Sequence, residues 1–477
     1  MQKRSFLYSF LFFLLPAGIY AQPAAGHTYS LKQCIETGIQ NSLAVQQSGL
    51  QMQASDINRK QSQLDRLPDL NGSVNHGINH GRSIDPFTNS YINEQVNFAN
   101  YSLSSGVILF NGLSINHTVK QTTLAYEASK MDWQQTKDNL TINIILAYLQ
   151  ALSNEDLLVQ AQHQAELTQK QVQRLEVLNA DGAIRPSDLS DLKGQLAGDQ
   201  LAVVNTRNTV ATAMLNLCEL MNILYDPNMK LERLDPVAFA AVYETTPAQV
   251  YQTALSQFAL IRSVTLRTRS AEYAVKARRG QLFPTLSLNG SANSNYSSAA
   301  MQSVFVNTTT FTTSDYVVIS GTPVPVISQQ NNYTSEKIGY TRQLNNNIFT
   351  SVSLNLSIPL FNSFRARNRI RLAQIDAKNY ALIEHTAKTQ LQQNIERAYV
   401  NMTIAFDRYR ILLDQVQSFT ESLRAAEIRF NEGVDNSVDY LLARTNLDRA
   451  ANNLIMAKYD YALKTKVLDY YQGRAGW

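Results

Sequence analysis

The sequence predicts a mainly α chain that also carries a membrane β-barrel, built as a duplicated unit of strand hairpin plus long helix. Three observations lead there. The chain repeats itself over more than 200 residues. Four short segments alternate apolar and polar residues. Two segments hold a helical pattern for more than 60 residues.

The repeat comes first because it sets the architecture. Asn111 aligns with Asn362 at an offset of 251 positions. At that offset Ala147-Tyr148 falls on Ala398-Tyr399, Gly182 on Gly433 and Asp188 on Asp439, with no gap from Phe110/Phe361 to Leu220/Tyr471. Upstream the offset is 216, so that Thr37 meets Thr253 and Pro68 meets Pro284. The 35-residue difference places an insertion between Pro284 and Phe361. Copies of this length are a duplicated domain and not a solenoid.

In chain order, residues 1–21 read as a secretory signal peptide. Lys3 and Arg4 precede a short apolar run, Phe6 to Leu15, and Ile19-Tyr20-Ala21 suits cleavage. The run is too short for a bilayer span, and no later stretch reaches 18 apolar residues. The first repeat is expected over 22–222, a connector over 223–246 and the second repeat over 247–477. Each repeat opens with a helix, about Leu31 to Arg66 and about Pro247 to Gln281, closed by Leu67-Pro68 and Phe283-Pro284.

The period then changes to two. The hairpins are expected at about 69–110 and about 285–359. Val352, Leu354, Leu356 and Ile358 alternate with Ser351, Ser353, Asn355 and Ser357. Tyr101, Leu103, Val107 and Leu109 do the same in the first copy. Such strands fit a half-buried soluble sheet or a barrel wall between lipid and water, and four segments of about ten residues suit the barrel. The insertion, roughly Ser298 to Asn345, is rich in Ser, Thr, Asn and Tyr and reads as a long loop.

Two long helices follow, the first from Leu113 to Ala180, ~100 Å at 1.5 Å per residue. Stacked in line, Leu31–Arg66 and Asp188–Asn222 give the same ~100 Å. Ile395, Tyr399, Met402, Phe406, Tyr409, Leu413 and Val416 form a heptad seam, which implies coiled-coil packing. The first copy's seam is weaker, with Glu155 and Gln162 in it. The connector, with Asp226-Pro227 and Asp235-Pro236, reads as an irregular equatorial segment.

Composition excludes several functions. The net charge is +4 and charged residues make up 17%, too few and too dispersed for nucleic acid. Two cysteines, Cys34 and Cys218, do not make a disulfide framework and suit buried packing. No nucleophile–base set, phosphate loop or zinc spacing occurs, so neither enzyme, cofactor nor metal is expected. His76 and His80 share a strand face but lack further ligands.

The strand-to-helix passages Phe110-Asn111-Gly112 and Pro359-Leu360-Phe361-Asn362-Ser363, the Ala-Tyr pairs, the tips Gly182…Asp188 and Gly433…Asp439, and the opening from Leu31 together resemble the TolC-like outer-membrane efflux proteins. The resemblance implies a homotrimer in outer-membrane lipid. Its twelve-stranded barrel would continue into a coiled-coil periplasmic tunnel, docked by a periplasmic adaptor (membrane fusion) protein to an inner-membrane transporter. It implies a passive export duct of a tripartite pump, with type I protein secretion as an alternative. A structural or adhesive coiled-coil envelope protein is the alternative of another class, and the alternating strands count against it.

The resemblance also assigns candidate sites. Asp188, Asp191 and Asp439 would ring the periplasmic mouth; Leu442 stands where a fourth acid is expected. Acids in a helix's first turn also simply complement its dipole. Asp181-Gly182 and Glu432-Gly433 are the candidate adaptor-contact tips, with an acid before each glycine where the family has an apolar residue. Asp435 replaces the family's arginine, so ion pairs at the mouth must be wired differently.

Overall fold

The computed structural model describes residues 28–84, 89–182, 184–233 and 243–474. The expected signal peptide, part of the connector and Ala183 of the first tip lie outside them. In the first repeat β1 (Thr28–Tyr29) precedes α1 (Leu31–Asn41), α2 (Leu43–Leu64), β2 (Asn71–Asn79), β3 (Arg82–Ile84), β4 (Tyr91–Asn93), β5 (Val96–Phe110), α3 (Ser114–Ala180) and α4 (Pro186–Met221). After β6 (Lys230–Leu231) come α5 (Pro247–Gln257), α6 (Ala259–Gly280), β7 (Thr285–Ser297), β8 (Met301–Ile319), β9 (Thr322–Lys337), α7 (Tyr340–Asn346), β10 (Phe349–Ser357), α8 (Arg365–Asn431) and α9 (Ser437–Tyr471). No helix among the described residues is long and apolar enough to cross a membrane.

The expected opening helices are each broken in two, at Ser42 and at Phe258, the same place in both copies. Both break residues adopt extended backbone, with ψ of 119° and 122°. Neither Gly nor Pro marks the breaks; tertiary partners hold them. The Asn41 carbonyl accepts from the Asn222 side chain at 3.1 Å. Phe258 is turned into a core, edge-on to Tyr470 at 5.3 Å. Each copy starts on the same capping box, Ser30 with Gln33 and Thr246 with Gln249, in which side chains and backbone N–H groups are satisfied reciprocally.

Contacts divide the chain into two units. One comprises Met1–Met52, Ser129–Ser263 and His385–Trp477, the other Gln53–Ala128 and Val264–Glu384. The first unit is helical. Its largest core gathers Cys34 of α1, Tyr148, Leu149 and Leu152 of α3, Leu217 and Met221 of α4, and Leu231 of β6. The Tyr148 hydroxyl donates to the Glu232 carbonyl at 2.7 Å, tying the β1/β6 pair to α3. Cys34 and Cys218 are free and buried, and burial pushes the Cys34 thiol up to about 12. The seam on α8 holds through Ile395, Met402 and Phe406, then drifts. Leu412 is buried while Leu413 is 42% exposed, as a straight 3.6-residue helix departs from a 3.5 repeat.

The second unit holds an antiparallel sheet in the order β10-β7-β5-β2. Register fixes its faces. Val74 lies opposite Tyr101, Leu103 opposite Ala292, and Val107 opposite Leu288, which pairs with Leu354. The other face is uncharged and mostly polar: Ser73 opposite Ser102, Ser104 opposite Ser291, Ser291 opposite Ser351, with Phe98, Ile108 and Phe349 the large apolar residues on it. His76 falls on the apolar side with Val74 and Ile78, whereas β2 ends at Asn79, so His80 is not on the strand. Among the described residues no group of three or more His, Cys, Asp or Glu is placed to hold a metal.

The insertion is not a structureless loop. β8 and β9 pair as a long hairpin through a Ser320-Gly321 turn, both residues at positive φ. Its Thr- and Val-rich strands have the β-branching that suits extended backbone. The buried Gln343 side chain of α7 accepts from the Ser297 N–H and donates to the Ser297 and Ile338 carbonyls at 2.8–2.9 Å, fixing the hairpin's base to β7.

Candidate functional site at the helix tips

Two tight turns carry the candidate residues, one between α3 and α4, the other between α8 and α9. Gly182 and Gly433 have φ of 70° and 71°, and nothing stands within 4 Å of the place a Cβ would take. The left-handed backbone, not crowding, calls for glycine. Below the turns Val172, Leu175 and Leu192 form a small core, joined by Leu189, Phe430 and Leu441. Phe430 stacks on Tyr440 at 5.1 Å. The tips are therefore packed against each other as one structure.

A groove of about 870 Å³ runs between the two turns. Gly182, Asp188, Glu432, Gly433 and Asp439 all line it, so five of the seven candidate residues meet there; Asp181 and Asp191 lie outside its lining. The Ser437 hydroxyl, buried at the start of α9, donates to Asp188 Oδ1 at 2.9 Å, with Asp191 Oδ2 at 3.5 Å. The serine proton thus ties Asp188 of the first copy to the second copy, with Asp191 alongside. Asp439 sits on α9, and its backbone N–H is capped by the Asn436 side chain at 3.0 Å. Leu442, at the position matching Asp191 in the repeat, is 61% exposed.

Asp435 pairs with Arg429 of the preceding helix, Nε to Oδ2 at 2.7 Å. Arg174 Nη1 donates to the Asn431 side chain at 2.7 Å, bridging the two turns.

Sequence reading missed a buried polar cluster on the same helices. Arg444 of α9 is 4% exposed. Its Nη2 donates to the Gln164 carbonyl of α3 at 2.8 Å and lies 4.0 Å from Asp199 of α4, while its Nε lies 3.6 Å from Asp448. Thr168 donates to the Asp199 carboxylate, and Gln195 does so at 2.7 Å. Burial raises the Asp448 pKa, and the Arg444 charge pulls it back down. The only signal in the sequence was the i, i+4 spacing of Arg444 and Asp448, which reads equally as a solvated surface pair.

The chain matches the family described as Outer membrane efflux protein over residues 34–222 and 250–473. It belongs to that family. It is 22% identical over 391 residues to Outer membrane protein TolC of Escherichia coli (strain K12), spanning 76% of this chain and 71% of that relative. Among solved structures it is similar to CusC, with a TM-score of 0.74 at 14% identity over 95% of each chain. It is also similar to the Campylobacter jejuni CmeC outer membrane channel, with a TM-score of 0.72 at 15% identity over 97% of this chain and 94% of that one. At such identity these structures show the fold. As an outer membrane efflux protein, the chain is an export channel of the outer membrane that extends into the periplasm. Its relatives are channel proteins.

Proposed function

We propose that the protein works as a homotrimer, the passive outer-membrane duct of a tripartite pump served by a periplasmic adaptor and an inner-membrane transporter. The observation that carries this is the sheet order β10-β7-β5-β2, which leaves one edge of β10 and one of β2 unpaired among the described residues. Open edges are not tolerated in lipid. All three pairings are antiparallel, so with four strands β10 and β2 run in opposite directions. β10 of one copy therefore meets β2 of the next as another antiparallel pair. Three copies give twelve strands, an even number of ordinary size. The apolar face then meets lipid, and the Ser/Asn face lines water.

In this reading Asp188 and Asp191, supported by Asp439, form the anionic constriction of the periplasmic mouth. The turns at Asp181-Gly182 and Glu432-Gly433 are the adaptor contacts. The groove between the turns supports this, since it brings Asp188, Asp439 and both glycines to one surface. Detergent-corrected mass should give three chains per particle, and the same particle should open discrete conductance steps in a planar bilayer. A monodisperse monomer with full β content, or a trimer without conductance, would refute the reading.

A further inference from the structure

A second cavity, of about 340 Å³, lies where β5 passes into α3. Its apolar wall is Phe110, Leu113 and Phe283, which are 43%, 51% and 55% exposed. Lys276 and Arg279 of α6, His117 of α3, and Gly112 and Gly280 complete the lining, and no carboxylate does. Among the described residues neither Lys276 nor Arg279 makes an ion pair. His117 Nδ1 is buried without a hydrogen-bond partner among the described residues. Burial, then the charges of Lys120 and Lys276, hold the His117 imidazole below its usual pKa. Positive charge is thus gathered here without an ion-paired carboxylate; the Lys276 ammonium lies over the Tyr273 ring, 4.5 Å from its centroid.

The backbone adds an independent observation. Gly112 and Leu113 are consecutive left-handed residues, with φ of 65° and 63°, and Ser363 and Phe364 repeat this in the second copy at 53° and 58°. A bulky residue in that region is strained. Both copies nonetheless hold a large apolar side chain there, more than half exposed. The packing beneath is close: a Cβ on Gly112 would stand 2.4 Å from the Gly280 carbonyl oxygen. Phe110 pairs in register with Leu286, and Leu286 with Leu356, so the cavity sits at the end of the apolar sheet face. In an outer-membrane channel that is the periplasmic boundary of the bilayer, where lipid phosphates lie beside the last apolar residues.

We propose that this cavity binds the phosphate-bearing headgroup of an inner-leaflet phospholipid. Lys276 and Arg279 pair with the phosphate, while Phe110, Leu113 and Phe283 lie against the glycerol and first acyl carbons. Basic pockets at a membrane boundary take anionic headgroups in this way.

Native mass spectrometry of the detergent-purified protein, with added phosphatidylglycerol in one arm and inorganic phosphate in another, tests the proposal. The wild type should retain phospholipid after detergent washing. Lys276→Gln with Arg279→Gln should weaken retention about tenfold or more, as removal of hydrogen bonds to a charged group does. Arg279→Lys should keep most of it. Arg278→Gln, which removes the neighbouring charge in the last turn of α6 outside the cavity, should leave it unchanged. Absence of lipid on the wild type overturns the proposal without any variant having to fold. Equal loss in Arg278→Gln overturns it as diffuse attraction. Full displacement of lipid by millimolar phosphate overturns it as a site for the free anion.

Discussion

The two repeats share their frame and differ at the helix tips and in the strand-side hairpins. α3 and α8 are each 67 residues long. The capping boxes, the helix breaks and the left-handed strand-to-helix turns recur at matching positions. At the tips the first repeat carries Asp188 and Asp191, the second Asp439 and Leu442. On the strand side the first repeat has the short β3/β4 pair, the second the long β8/β9 hairpin. Matching parts are thus those that any copy needs to fold. The unequal parts are the acids of the tips and the strand-side hairpins.

The largest test of that contrast uses Arg444 and its repeat counterpart Lys193. Arg444 is buried against Asp199 and Asp448, whereas Lys193 makes an exposed pair with Glu176 at 2.8 Å. Arg444→Leu strands two carboxylates and should cost about 3–5 kcal/mol. Lys193→Leu should cost less than about 1 kcal/mol. Hydrogen exchange in the tip segments of α3, α4 and α9 reads both, and equal loss of protection would show that the copies are latched alike.

Next comes the pair Gly112 and Ser363. Both are left-handed; a Cβ at Gly112 would stand 2.4 Å from the Gly280 carbonyl oxygen, whereas Ser363 already carries one. Gly112→Ser should destabilise by about 2–4 kcal/mol, combining backbone strain with overpacking. Ser363→Gly should relieve strain and change stability by less than about 1 kcal/mol in either direction. Yield and thermal stability of the assembled protein check the order of the two.

These pairs also mark how far the sequence could be read. The repeat, the four strands and the tips were legible because period and offset are local patterns, and the end of α3 at Ala180 fell where the glycine turn placed it. The breaks at Ser42 and Phe258 were not legible, since the partners that hold them, Asn222 and Tyr470, are more than 170 residues away. The β8/β9 hairpin was hidden by its polar composition, which reads as loop until the pairing is seen. At the tips, Asp188 and Asp439 were legible as acids beside glycine turns. Ser437 was not, because a serine one residue into a helix reads as part of an ordinary start.

The smallest effect concerns the shared frame. Ser30→Ala and Thr246→Ala each remove one capping box and should each cost about 1 kcal/mol. Similar losses of exchange protection in α1 and α5 are expected, and a large inequality would mean that one opening helix is held by its packing instead.

The central claim, that the first repeat supplies the anionic constriction, is tested most directly by single-channel recording of Asp188→Asn with Asp191→Asn against Asp439→Asn. Rings of carboxylates favour cations and bind multivalent ones. The double substitution should reduce cation selectivity and relieve block by multivalent cations applied from the periplasmic side, with Asp439→Asn doing less. Selectivity and block left unchanged by the double substitution would contradict the account and return these aspartates to the role of helix-start residues.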